Sequence, residues 1–166
     1  MTRLLLTILL LLTALQVRAA GVGGAFGEGH TQFSLVGGNA YAFDNRYFVI
    51  GGSVSHFVAD GVSIGLSLEN WTGNGPRITK YAPFVQYVFY QTPNVQPYIG
   101  TFYRHTAIAG LPSVKSTGVR AGVLSAAGSN AFVSVGIVHE SYLNCQVSVY
   151  RVCSETHPEL NLIFGF

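Results

Sequence analysis

Apolar and polar residues alternate with a period of two from about residue 31 to the last residue. The clearest instance is 62–72, where Val62, Ile64, Leu66 and Leu68 alternate with Ser63, Gly65, Ser67 and Glu69. A strand sends successive side chains to opposite faces, so such a segment has one apolar and one polar face. The same pattern predicts strands at 31–42, 47–58, 80–91, 95–105, 116–126, 131–142 and 157–166, eight in all. Turn residues separate them: Phe43 to Arg46, Asp60-Gly61, 73–79 with Pro76, Thr92-Pro93-Asn94, 106–115 with Gly110 and Pro112, Ala127 to Asn130, and 143–156. Helical periodicity is almost absent.

The final segment sets Leu160, Leu162, Phe164 and Phe166 on one face and Asn161, Ile163 and Gly165 on the other. Connections after strands two, four and six are tight, whereas most of those after odd-numbered strands are longer. This asymmetry predicts a closed, all-β, eight-stranded antiparallel up-and-down transmembrane β-barrel, with both termini on the short-turn rim. Strands of about 11 residues suit a tilted bilayer crossing, and closure removes the edges an apolar open sheet would expose. The competing reading is a soluble β-sandwich.

The first residues carry a different pattern. Arg3, the apolar run Leu4 to Leu12 and Val17-Arg18-Ala19 form a secretory signal peptide over 1–19, leaving a barrel domain over 20–166. Its apolar run is too short for a spanning helix, which needs about 20 residues. Arg3 and Arg18 account for the formal charge of +2, and the remaining chain is neutral. That balance argues against nucleic-acid binding. Charged residues make up 10% of the chain, far below the usual share of about 25%, as a lipid-facing surface requires. Gly21, Gly23 and Gly24 lack the flanking strand and helix of a dinucleotide loop.

With the apolar parity outward, Glu69, Arg104, Arg120, Glu140 and Glu159 fall in the lumen as a charge network. Eight strands leave room for side chains and little else, and buried charges must pair. Gly65, Gly100, Gly118, Gly122 and Gly136 share that face and give the large groups space. Tyr41, Tyr81, Tyr90, Tyr103 and Tyr142 lie near strand ends, the place of an interfacial girdle. Cys145 and Cys153, in an exported chain, are expected to form a disulfide that stiffens the longest outer loop. No spacing calls for a metal or a cofactor, and His30, His56 and His105 have no partner pattern.

The signal peptide, the eight strands and the ending Leu160-x-Leu162-x-Phe164-x-Phe166 resemble the small outer-membrane β-barrel superfamily of Gram-negative bacteria. Gln96-Pro97-Tyr98-Ile99-Gly100 resembles a strand opening common in it. The resemblance implies a monomer in the bacterial outer membrane, among its lipids including lipopolysaccharide. It also implies that Leu160, Leu162, Phe164 and Phe166 are read by the barrel-assembly machinery. The role expected is structural, or a surface contact through the outer loops, with no open pore; a narrow solute channel is an alternative. His139-Glu140-Ser141 is similar to the His-x-Ser of lipid A 3-O-deacylases, which implies an alternative acyl hydrolase with Ser141 as nucleophile, His139 as base and Glu155 or Glu159 as orienting carboxylate. Here Tyr142-Leu143-Asn144 follows, where that family has Asn-Ala-Gly, and both glutamates share the lumen parity.

Overall fold

The structure is a computed structural model that describes residues 24–145 and 153–166. The expected signal peptide lies outside the described residues. After a short 3-10 turn at Gly24–Phe26 come eight strands: β1 Thr31–Ala42, β2 Asn45–Ala59, β3 Val62–Gly73, β4 Ile78–Val88, β5 Val95–Ile108, β6 Leu111–Ala126, β7 Ala131–Tyr142 and β8 Ser154–Gly165. Each pairs antiparallel with its sequence neighbour, and β1 pairs with β8 to close the barrel.

Several boundaries differ from the sequence reading: β4 ends at Val88, so the turn after it is the six residues 89–94, and β8 starts at Ser154. The expected contrast between a short-turn and a long-loop rim rests on 143–153 alone. The loop expected over 106–115 is instead the two-residue turn Ala109-Gly110, and β5 and β6 continue as a tall hairpin on either side. Gly110 turns the chain at φ 77°, a region glycine enters freely. Pro112 sits close to that turn, near the strand start, where a missing N–H is tolerated. The first connection is also shorter than expected, just Phe43-Asp44, with both residues left-handed at φ 51° and 57°. Two positive φ values match the twist of a two-residue hairpin. Elsewhere on that rim the connections are residues 74–77 and 143–153.

Burial follows the period of two. Ile50, Ile64, Leu66, Leu68, Ile99, Val119, Val135, Ile137 and Leu160 are each about half exposed or more, and they ring the outside as an apolar belt. A soluble domain does not expose so continuous an apolar surface. Inside, the end that holds Phe26 and Phe166 is filled by Phe26, Phe57, Val88, Tyr98, Leu124, Phe132 and Ile163. Phe26 is delivered there by the 3-10 turn. Its ring lies 5.0 Å from that of Phe132, and its carbonyl accepts the Gly61 N–H at 2.8 Å. Above this floor, Ala82, Phe84, Phe102 and Val138 form a second apolar layer. Lumen glycines make that layer fit: a Cβ at Gly65 would strike the Phe84 ring, and one at Gly118 the Phe102 ring.

The closing seam is unequal. β1 and β8 pair only over residues 32–35 against 162–165, at the floor end. Above, β1 continues to Ala42 and β8 reaches back to Ser154 with no pairing across the seam among the described residues.

Candidate functional site

Lumen-facing positions of six strands converge above the apolar layers. Glu69 and Trp71 come from β3, Lys80 from β4, Arg104 from β5, Ser116 and Arg120 from β6, Glu140 and Tyr142 from β7, and Glu155, His157 and Glu159 from β8. All five residues of the expected charge network are brought together. Arg104 is its centre: Nη1 donates to Glu140, and Nη2 lies 3.8 Å from Glu69. Glu140 has a side chain only 1% exposed and also accepts the Ser116 hydroxyl, so each of its oxygens is engaged. That arrangement is what burial of a carboxylate demands.

A second centre lies lower, around Arg120. It stands 3.8 Å from Glu159, and its guanidinium covers the Phe84 and Phe102 rings at 5.4 and 5.1 Å. Glu159 accepts the Tyr98 hydroxyl at 2.7 Å, which ties the charges to the floor. The Arg120 Nε is buried with no hydrogen-bond partner among the described residues.

Lys80, Trp71 and Tyr142 belong to this site although the sequence reading left them out of it. The Lys80 ammonium rests 4.0 Å above the Trp71 ring, whose Nε1 donates to Glu69 at 3.1 Å. Tyr142 shares the parity of Glu140, so it points inward and donates to Glu155 at 2.8 Å. This corrects its place in the expected girdle: nearness to a strand end was the wrong cue, and parity the right one. Tyr90 likewise packs against the floor cluster, whereas Tyr81 and Tyr103 are exposed outside. For Lys80 the signal was present, since it shares a face with Ala82 and Phe84. Apolar residues on both faces of β4 hid which face was the lumen.

The residues of the acyl-hydrolase alternative are not assembled. His139 and Ser141 lie outward on β7, and the described partner of His139 Nδ1 is the Thr156 hydroxyl at 2.8 Å. In the register Ser141 faces Ser154, and Glu155 faces Glu140 on the lumen side of the same sheet. The carboxylate is therefore across the wall from the His-Ser pair, where it cannot orient the imidazole. Cys145 and Cys153 are joined in a disulfide with Cα atoms 5.6 Å apart. No cluster of three metal-ligating side chains occurs among the described residues.

No protein-family model matches the sequence, and no curated protein matches it. Solved structures do match. The N-terminal β-barrel domain of Pseudomonas aeruginosa OprF superposes with a TM-score of 0.66 at 19% identity, covering 84% of this chain and 99% of that one. Neisserial surface protein A, NspA, gives a TM-score of 0.54 at 14% identity, covering 82% and 94%. At such identities the likeness is one of fold: the chain has the architecture of small eight-stranded outer-membrane barrels.

Proposed function

We propose that this chain is an outer-membrane barrel, exported through the cleaved 1–19 segment, that spans the membrane without forming a through-pore. The role we infer is structural or a surface contact made by the outer rim. The observation that carries this reading is the plugged lumen. An apolar floor, a second apolar layer and a paired charge network are stacked along one short lumen, inside a wall whose outer face is apolar. Ions crossing it would have to displace buried side chains that are bonded to one another. The outward set Leu160, Leu162 and Phe166 suits recognition by the barrel-assembly machinery during insertion.

The test has two parts. Alkaline carbonate washing should leave the protein in the outer-membrane fraction, and refolded protein in planar bilayers should give no steady single-channel conductance. Extraction by carbonate would remove the membrane assignment. Stable conductance would turn the network into a gate.

A further inference from the structure

The backbone above the opening of the seam is poorly suited to closing it again. Thr31 and Phe166 exchange N–H···O bonds of 3.1 and 2.8 Å, whereas Gly165 donates to Asn130 on the other side. Alternate residues from that pair therefore turn their backbone groups across the seam. Continuing the register of Phe33 with Phe164 and Leu35 with Leu162 sets Gly37 opposite Leu160 and Asn39 opposite Pro158. Pro158 has no N–H, so the pair that would zip the seam higher lacks one of its two bonds. On the facing strand, a Cβ at Gly38 would meet nothing within 4 Å, unlike the crowded glycines of the closed wall.

Behind this gap lies a cavity of ≈ 520 Å³, lined by both free edges and by Lys80, Arg120, Glu155 and Glu159. The floor closes it below. The unpaired stretch of the seam, its side mouth, includes Leu160, whose β7 partner Val135 belongs to the apolar belt. We propose that the cavity is a lateral binding site for one zwitterionic phospholipid, which enters from the bilayer between β1 and β8. The proposal rests on the outer-membrane reading above.

Charge bookkeeping selects the headgroup. The described ion pairs use Arg104 and Arg120, each against glutamates. Among the described residues no carboxylate comes within ion-pair distance of Lys80, whose ammonium rests on the Trp71 ring with Glu69 opposite it in the register, and Glu155 accepts the Tyr142 hydroxyl. One cation and one carboxylate that stand outside the described ion pairs thus line the same chamber. A phosphate beside Lys80 and an ammonium beside Glu155 satisfy both, as phosphatidylethanolamine does. The free Nε of Arg120 is a further donor for the phosphate. The acyl chains leave through the mouth, past Gly37 and Leu160, into the surrounding lipid.

The experiment is native mass spectrometry of the refolded barrel in detergent, titrated separately with phosphatidylethanolamine, phosphatidylglycerol and lipid A. Liposome flotation of the same sample reports membrane insertion independently, so failure of the membrane reading is distinguishable from failure of the site. The expected result is one bound phosphatidylethanolamine, about tenfold tighter than phosphatidylglycerol, the weight of one charge-assisted contact. Gly38→Phe, which fills the mouth, should abolish binding. Glu155→Gln should erase the preference between the two lipids, and it decides the matter alone if Gly38→Phe does not fold. Equal binding of both lipids by the unmodified protein, preference for lipid A, or unchanged binding by folded Gly38→Phe would overturn the proposal.

Discussion

Removing Arg104 should cost far more than its hydrogen bonds alone suggest. In Arg104→Met, Glu140 keeps the Ser116 hydroxyl but loses its ion-pair partner, with its side chain 1% exposed. A buried carboxylate stripped of its partner costs about 3–5 kcal/mol. Glu140→Gln should cost less, about 1–3 kcal/mol, because Arg104 still has Glu69 at 3.8 Å. Arg104→Met combined with Glu140→Leu removes both charges of the buried pair, leaves the more exposed Glu69 with its Trp71 hydrogen bond, and should recover much of the loss, a coupling of about 2 kcal/mol or more. Urea unfolding of the barrel in lipid vesicles provides the assay. Trp71, the one tryptophan of the chain, reports from beside the network, where it bonds Glu69. Gel mobility of unheated samples gives a second readout distant from that bond. An Arg104→Met barrel within about 1 kcal/mol of the parent, or a double variant as unstable as the sum of its parts, would refute the pairing argument.

Three further outcomes can be checked in the same system. Gly118→Val should prevent folding or cost at least about 3 kcal/mol, because the added Cβ strikes the Phe102 ring and the His139 carbonyl; Gly38→Ala, in open space, should be near neutral by the same unfolding assay. Leu66→Arg, in the belt, should destabilise by about 2–4 kcal/mol, whereas Ser125→Arg near the floor rim should cost about 1 kcal/mol or less. Opening the Cys145–Cys153 bond with Cys145→Ser should lose about 2–3 kcal/mol, seen as a lower urea midpoint, and should speed protease cleavage between the two positions.

The eight strands were legible because a barrel wall imposes a strict inside and outside on every residue. Val62 to Glu69 reads as a strand without any knowledge of its neighbours, and the parity of Glu140 or Arg104 placed both in the lumen. Turns were harder to read. Phe43-Asp44 carries no glycine, yet both residues adopt positive φ, a choice made by the twist of β1 and β2 rather than by local preference. The Gly110 region looked like a loop because Leu111, Pro112 and Ser113 show no alternation, although the pairs Leu111–Ile108 and Val114–Thr106 on either side of a register shift order the segment as strand. Within the site, single residues were readable and their partners were not. Which carboxylate Arg104 meets depends on register across three strands, and the sequence does not print register. The open seam was invisible for the same reason. Pro158 is evident in the sequence, but whether its missing N–H faces β7 or β1 depends on which residues bond at the floor.

The position of Phe26 also fixes a chronology. It precedes β1, yet its ring packs on Phe132 of β7 and Phe57 of β2, in a cluster completed by Ile163 of β8. That pocket does not exist until the far end of the chain has curled round. The residues just before β1 are thus synthesised early and docked late, and the stopper is set only once the cylinder is made. A chain stalled before β7 would hold Phe26 against Phe57 at most, without the Phe132 and Ile163 walls that complete its pocket.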